Sequence, residues 1–456
     1  MKVAYSFLCL LLAAGPATAQ EKVFFGNLHS HTSYSDGSGT PAEAYKHARD
    51  IAKVDFLAIT EHNHAAAEQG ASPDRRDGIL IAKDHNLYSG ASAKSVISAA
   101  RAATVDGKFV AIYGQEFSTI GSGNHVNVFE VPNVITVPSG AFDQLVILLA
   151  STQDSRGKRP LLQFNHPGMN KKNPAKDYGE DDFDSQAEWV SKVGTYAHTI
   201  AILNGPHDSK EVNLPPPDRL FGQYLRYLNL GFHLAPVADQ DNHYRTWGDG
   251  TVARTAVIAS ALTKAQILDA IEARHVYATE DPDLRLIFKV NGHLLGDRIP
   301  APAVGAALDI TYSIQDPSEP DAEYSIEIFS GTIGGGPAAV ADKVDENGNT
   351  TSGKIDSIRY EGGNQYIFLR VTQFDDEGGS NVAWTAPVWL EPSGGSTGTP
   401  AVTTNVTSAE EFVASKNRPI YHLASCRDAA NIAPQNRLTG AKARQGRTLH
   451  EGCPRK

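Results

Sequence analysis

Between residues 21 and about 280 the chain alternates short apolar runs with stretches of helical periodicity, and no other feature constrains its fold as strongly. Val23–Leu28, Phe56–Thr60, Phe109–Tyr113, Leu161–Phe164, Thr199–Leu203, His233–Val237 and Thr255–Ser260 read as strands of the kind buried inside a sheet. Pro41–Lys53 has helical spacing, and Pro41 suits a helix start because its missing N–H is not needed there. Strands and helices in alternation imply an α/β fold with a parallel sheet, open or closed into a barrel.

The pattern changes after Thr279. Residues 281–391 hold short alternating strands, such as Leu284–Phe288 and Tyr324–Ile328, separated by Gly- and Asp-rich turns. That pattern predicts an antiparallel β-sandwich. Residues 392–407 read as a flexible linker, and 408–456 as a small tail domain.

Residues 1–19 read as an export signal: Lys2 is followed by a short apolar run and a small-residue cleavage site, Ala17-Thr18-Ala19. The expected setting is secreted or periplasmic, and no later run is apolar enough to span a membrane. Export leaves Cys426 and Cys453, for which a disulfide is the simple reading. The formal net charge of -11 argues against a general nucleic-acid binder.

Metal-type residues recur where the strands end. His29 and His31 follow the first strand at i, i+2, which puts both side chains on one side of extended backbone. Asp36 lies on the loop beyond, His62 follows the second strand, Glu116 the third, and His166 the Leu161–Phe164 run. Asp241 and His243 form a second i, i+2 pair, and His125 stands at the mouth of another strand. Chance accounts for a lone histidine such as His47, His85, His198 or His275. It accounts poorly for two such pairs and four further strand-end ligands. Imidazoles and carboxylates converging at strand ends suit zinc, manganese or iron, and cations there activate water and stabilise developing negative charge.

Asn27-Leu28-His29-Ser30-His31-Thr32-Ser33-Tyr34-Ser35-Asp36-Gly37 resembles the opening motif of the PHP (polymerase and histidinol phosphatase) family. Phe56 to Asn63 resembles its second motif, where Asp is commoner at the Glu61 position. Glu116, Asn165-His166-Pro167 and Asp241-Asn242-His243 match the later ones. The resemblance spans residues 20–280 and implies a distorted (β/α)7 barrel holding two or three divalent ions. It implies one ion on His29, His31, Glu116 and Asp241, a second on Glu116, His125 and His166, and a third on Asp36, His62 and His243. The export signal and the appended β-region resemble a branch containing aryl-carbamate hydrolases beside presumed phosphoesterases. The tail resembles more faintly a small metal-binding module, but only one cysteine of that module's second pair, Cys453, is present.

These readings converge on an exported metal-dependent phosphoesterase in which a metal-bound hydroxide attacks a small anionic mono- or diester. The alternatives are a carbamate or carboxylic esterase on the same metals, and a non-catalytic binding protein with structural metals. His64 is the expected proton donor to the leaving group, and Arg245 the expected phosphate-binding group. Nothing resembles a Ser-His-Asp triad or a phosphate-binding glycine loop.

Overall fold

The computed structural model describes residues 21–70, 80–117, 124–168, 173–207, 209–215, 218–374 and 379–392, with 412–415, 420–423, 437–439 and 448–449 in the tail. The export signal, Cys426 and Cys453 lie outside the described residues.

Among the described residues ten strands precede residue 281: β1 (Lys22–Asn27), β2 (Phe56–His62), β3 (Val110–Phe117), β4 (Val126–Phe129), β5 (Leu162–Phe164), β6 (Ala197–Asn204), β7 (Asp218–Arg219), β8 (Ala235–Ala238), β9 (Arg254–Ala259) and β10 (Val276–Thr279). Between them lie helices α1 (Pro41–His47), α2 (Asn86–Ser89), α3 (Val96–Ala103), α4 (Phe142–Ala150), α5 (Gln186–Val193), α6 (Phe221–Leu230) and α7 (Lys264–Ala273). All seven expected strands are present within a few residues. The expected helix over 41–53 is α1 followed by a wider turn, Ala48–Ala52, that Lys53 ends in left-handed backbone (φ 58°). Thr40 and Glu43 start α1 with a capping box: Glu43 N donates to Thr40 Oγ1 (3.3 Å) and Thr40 N to Glu43 Oε2 (2.8 Å).

The sheet is mixed, which corrects the expectation of a parallel one. β1, β2 and β3 run parallel, as do β5, β6 and β8. β4 is antiparallel to both β3 and β5, and β9 to both β1 and β10. A parallel neighbour needs a crossover of about a dozen residues or more; the 118–125 connection is too short, so β4 turns straight back along β3. Among the described residues no backbone ladder joins β8 to β9. They meet through one hydroxyl instead: Ala238 N donates to Thr255 Oγ1 (3.0 Å), which donates to Ala238 O (2.9 Å).

The sheet does not stop at residue 280. The strands that follow are β11 (Arg285–Val290), β12 (His293–Leu294), β13 (Arg298–Pro300), β14 (Ile310–Gln315), β15 (Glu323–Thr332), β16 (Ala339–Asn347), β17 (Thr350–Ile355), β18 (Gln365–Phe374), β19 (Ser380–Thr385) and β20 (Val388–Glu391). β19 pairs with β10, so β18, β15, β20 and β13 extend the large sheet. β12, β11, β14 and β17 form a separate four-stranded antiparallel sheet. In β11 and β14 buried and half-buried residues alternate, the signature of one face turned inward. Leu286, Phe288, Ile310 and Ile314 from that face share a core with Ile326, Ile328, Leu369 and Val371 of the large sheet.

Residues 1–394 make one compact unit and 395–456 a second. The second contains a small four-stranded sheet of Phe412–Ser415, Ile420–Leu423, Arg437–Thr439 and Thr448–Leu449.

Candidate metal centre

The ends of β1, β2, β3, β5 and β8, with the approach to β4, bring nine side chains together. Backbone hydrogen bonds set the loops against one another. His31 N donates to Asn242 O (2.8 Å), Thr60 N to Ser30 O (2.9 Å), Ser38 N to His243 O (2.8 Å) and His243 N to His207 O (2.9 Å). The Trp247 indole, almost fully buried, donates to His31 O (2.9 Å). His166, His207 and Asp241 adopt positive φ (29°, 25° and 49°). Non-glycine residues pay on the order of 1–3 kcal/mol each for such backbone, a cost that surrounding structure sustains mainly at functional sites.

Glu116 is the centre of the arrangement. Its carboxylate oxygens lie 3.2 Å from His29 Nε2, 3.3 Å from His31 Nε2, 2.9 Å from His62 Nδ1, 3.1 Å from His125 Nδ1 and 3.3 Å from His166 Nε2. Asp241 Oδ1 lies 3.3 Å from His29 Nε2 and 3.2 Å from His31 Nε2. Asp36 faces His62 Nε2 (3.4 Å) and His243 Nε2 (3.2 Å). Three overlapping sets have donor atoms mutually within 4.8 Å: His29, His31, Glu116 and Asp241; His31, Asp36, His62 and His243; and His62, Glu116 and His125.

The first set is the one the motif resemblance implies. The others differ by sharing. His31 also belongs to the Asp36 set, and His62 reaches Glu116, while His166 touches Glu116 from the side.

The donor chemistry fits divalent ions. His29 Nε2 and His31 Nε2 stand 3.1 Å apart with carboxylate oxygens on either side, so their lone pairs converge on common space. Burial would raise the Glu116 pKa, but the His29, His62 and His125 imidazoles overcome it and hold it well below the usual range. Asp36 and Asp241 behave alike, their burial outweighed by neighbouring histidines. Conversely, carboxylates overcome burial to hold the His31 pKa at about 10. The cluster demands positive charge, and protons supply it where cations do not.

A polar layer supports the ligands. Asn165 Nδ2 donates to Glu116 Oε1 and Asn127 Oδ1 (both 2.9 Å), and Gln163 Nε2 donates to Asp239 Oδ2 (2.7 Å). Asp239 lies 3.9 Å from His29 Nδ1; burial first, then Asp241 and Glu116, push its pKa well up. Glu61 anchors the first loop, accepting from Thr32 N (3.1 Å), Ser35 Oγ (2.5 Å) and the Thr32 hydroxyl.

His207 is passed over by the sequence reading. It follows β6 as His166 follows β5, and its Nδ1 lies 2.8 Å from Asp241 Oδ2. His64 stands beside His62 with ring centroids 5.3 Å apart, and burial first, then the His62 and His125 imidazoles, lower its pKa to about 4. Arg245 is more than half exposed and pairs with Glu43 of α1 (3.2 Å), which occupies the guanidinium expected to meet a phosphate.

No family model and no curated protein matches the chain. Among solved structures it is similar to a two-domain protein from Bacteroides vulgatus described as containing a predicted PHP-like metal-dependent phosphoesterase. The identity is 15%, over 81% of this chain and 96% of that one, with a TM-score of 0.38. A mutant β-glucosidase from Listeria innocua is 12% identical over 24% of this chain and 16% of its own, with a TM-score of 0.14.

Proposed function

We propose that the chain is an exported metal-dependent phosphoesterase, cleaving phosphate mono- or diesters at the cluster around Glu116. The observation that carries this reading is the sharing of one buried carboxylate between two candidate ligand sets, an arrangement that would hold two cations side by side. Adjacent ions are the arrangement used for in-line displacement at phosphorus, whereas structural sites are single and closed. Two or three divalent ions (zinc, manganese or iron), when bound, supply Lewis acidity and lower the pKa of coordinated water.

The chain's own residues do the rest. Asn165 fixes Glu116, His207 fixes Asp241, and Glu61 holds the loop that carries His31 and Asp36. His64, with a pKa of about 4, is neutral at pH 7 and is first a proton acceptor; donation to the leaving oxygen follows only after it has gained a proton.

Metal-reconstituted protein assayed on nitrophenyl phosphate, bis-nitrophenyl phosphate and an aryl carbamate tests the reading, beside a His29→Ala/His31→Ala control. Turnover of a phosphate ester, lost in the control, is the expected result. Turnover of the carbamate alone would move the assignment to carbamate or carboxylic ester hydrolysis. Metals bound at full occupancy without turnover on any substrate would leave a binding protein.

A further inference from the structure

A second acidic cluster lies away from the histidines, where the two sheets of the unit meet. Asp281 and Asp283 are on the loop between β10 and β11, and Asp316 directly follows β14. One carboxylate oxygen from each lies mutually within 4.8 Å. Asp281 and Asp316 are almost fully buried, at 1% and 0% exposure. Among the described residues none of the three carboxylates forms an ion pair with Lys or Arg. Arg254 senses Asp281, but its Nη1 is held by Thr251 O (2.5 Å) and Ala253 O (2.9 Å).

Two further side chains point to a ligand. Tyr324 on β15 and Gln373 on β18 are direct cross-strand partners, so both stand on one face of the sheet. Each residue is 1% exposed, yet among the described residues the Tyr324 hydroxyl and Gln373 Oε1 have no hydrogen-bond partner. Both side chains lie beside the cluster. Gln373 Nε2 donates to Asp316 Oδ2 (2.7 Å) and also to Glu319, so a half-turn of the amide would set Oε1 against those carboxylates. The Tyr324 hydroxyl is buried and feels the charges of Asp316, Glu319 and Asp281.

We propose that Asp281, Asp283 and Asp316, with the Gln373 amide turned over to present Oε1, form a second metal site that takes a calcium ion. The donors are all oxygen, which excludes the softer nitrogen-seeking ions of the histidine cluster and suits a hard cation. Calcium accepts more oxygens and looser geometry than magnesium, matching ligands drawn from two loops and a strand. Bound there, it joins the β10–β11 loop, the end of β14 and strand β18, and so fastens one sheet to the other.

The test uses the full chain with its histidine cluster already loaded with zinc. Calorimetric titration with calcium is expected to show one ion per chain. The melting temperature is expected to rise by roughly 5 °C at about a hundredfold excess over Kd. Terbium in place of calcium should give emission excited through tyrosine. Asp283→Asn, Asp281→Asn and Asp316→Asn should each weaken calcium binding roughly tenfold or more, because ligand charge sets the affinity. In the Asp281→Asn variant the amide oxygen would still accept the loop N–H groups of residues 283 and 284. The Asp283 carboxylate accepts a Ser318 hydroxyl at an exposed position, so both variants keep their fold. His29→Ala/His31→Ala should bind calcium as the parent does. The inference is overturned if calcium neither binds nor shifts melting once zinc is in place, or if the histidine variant loses calcium while the aspartate variants keep it.

Discussion

Replacing Glu116 by Gln removes one negative charge from the middle of five imidazoles while keeping the side chain's shape. Asn165 Nδ2 (2.9 Å from Glu116 Oε1) can still donate to the amide oxygen, so the polar layer beneath survives. Glu116 belongs to two of the three ligand sets and is fully buried, so water does not replace the lost charge. Removing one partner of a buried charge pair costs about 3–5 kcal/mol. At about 1.4 kcal/mol per tenfold, metal affinity should fall roughly a hundred- to several-thousand-fold. Equilibrium dialysis with elemental analysis measures this directly, and hydrolysis of bis-nitrophenyl phosphate should fall with occupancy. Glu130→Gln is the control. Glu130 is also buried, but it serves Lys264 Nζ (2.9 Å) and Tyr113 N (3.1 Å), so its loss should lower stability and leave metal content unchanged. Parent-like metal affinity in Glu116→Gln would refute the shared-carboxylate reasoning; so would an equal loss of metal in the Glu130 variant.

His207→Ala frees Asp241 Oδ2 from its imidazole and should weaken metal binding about 10–100-fold, as loss of an orienting partner does; an unchanged metal titration would remove His207 from the site. Glu61→Ala strips the acceptor from Thr32 N and Ser35 Oγ and should cost on the order of 3 kcal/mol, read as a lower melting temperature, while Glu61→Gln should recover part of it. Burial, against the pull of Glu391, lowers the His233 pKa from 6.5 to about 4. The unfolded chain then binds more protons between those values, so stability is full above pH 6.5 and is lost as pH falls toward 4, by up to about 3 kcal/mol. His233→Phe should flatten that part of the stability–pH curve, and an unaltered slope would count against a half-buried neutral histidine there.

The strands that carry the ligands were legible because burial on both faces leaves an uninterrupted apolar run, as in Phe56–Ile59. Their ends were legible because polar metal-type residues follow such runs abruptly, as His62 and His166 do. Strand direction was less accessible: β4 reads like its neighbours, and only the short 118–125 connection forces it antiparallel. The extension of the sheet past residue 280 was hidden as well, since the β10–β19 pairing joins residues more than a hundred positions apart through backbone groups common to every sequence.

Residue types and local spacing determined which side chains would meet at the strand ends, because a period of two and a buried strand leave them little choice of face. How those side chains group into candidate ligand sets was decided by tertiary structure alone. His31 and His62 each serve two sets, and Glu116 stands between them, because loops from distant strands close on one another through hydrogen bonds such as His31 N to Asn242 O. His207 acquires its role in the same way. Nothing in Gly205-Pro206-His207 marks a ligand partner until the fold carries Asp241 to within 2.8 Å of it. The acidic cluster beside Gln373 is likewise a product of two sheets packing, since burial and proximity, not composition, turn scattered aspartates into a place for a cation.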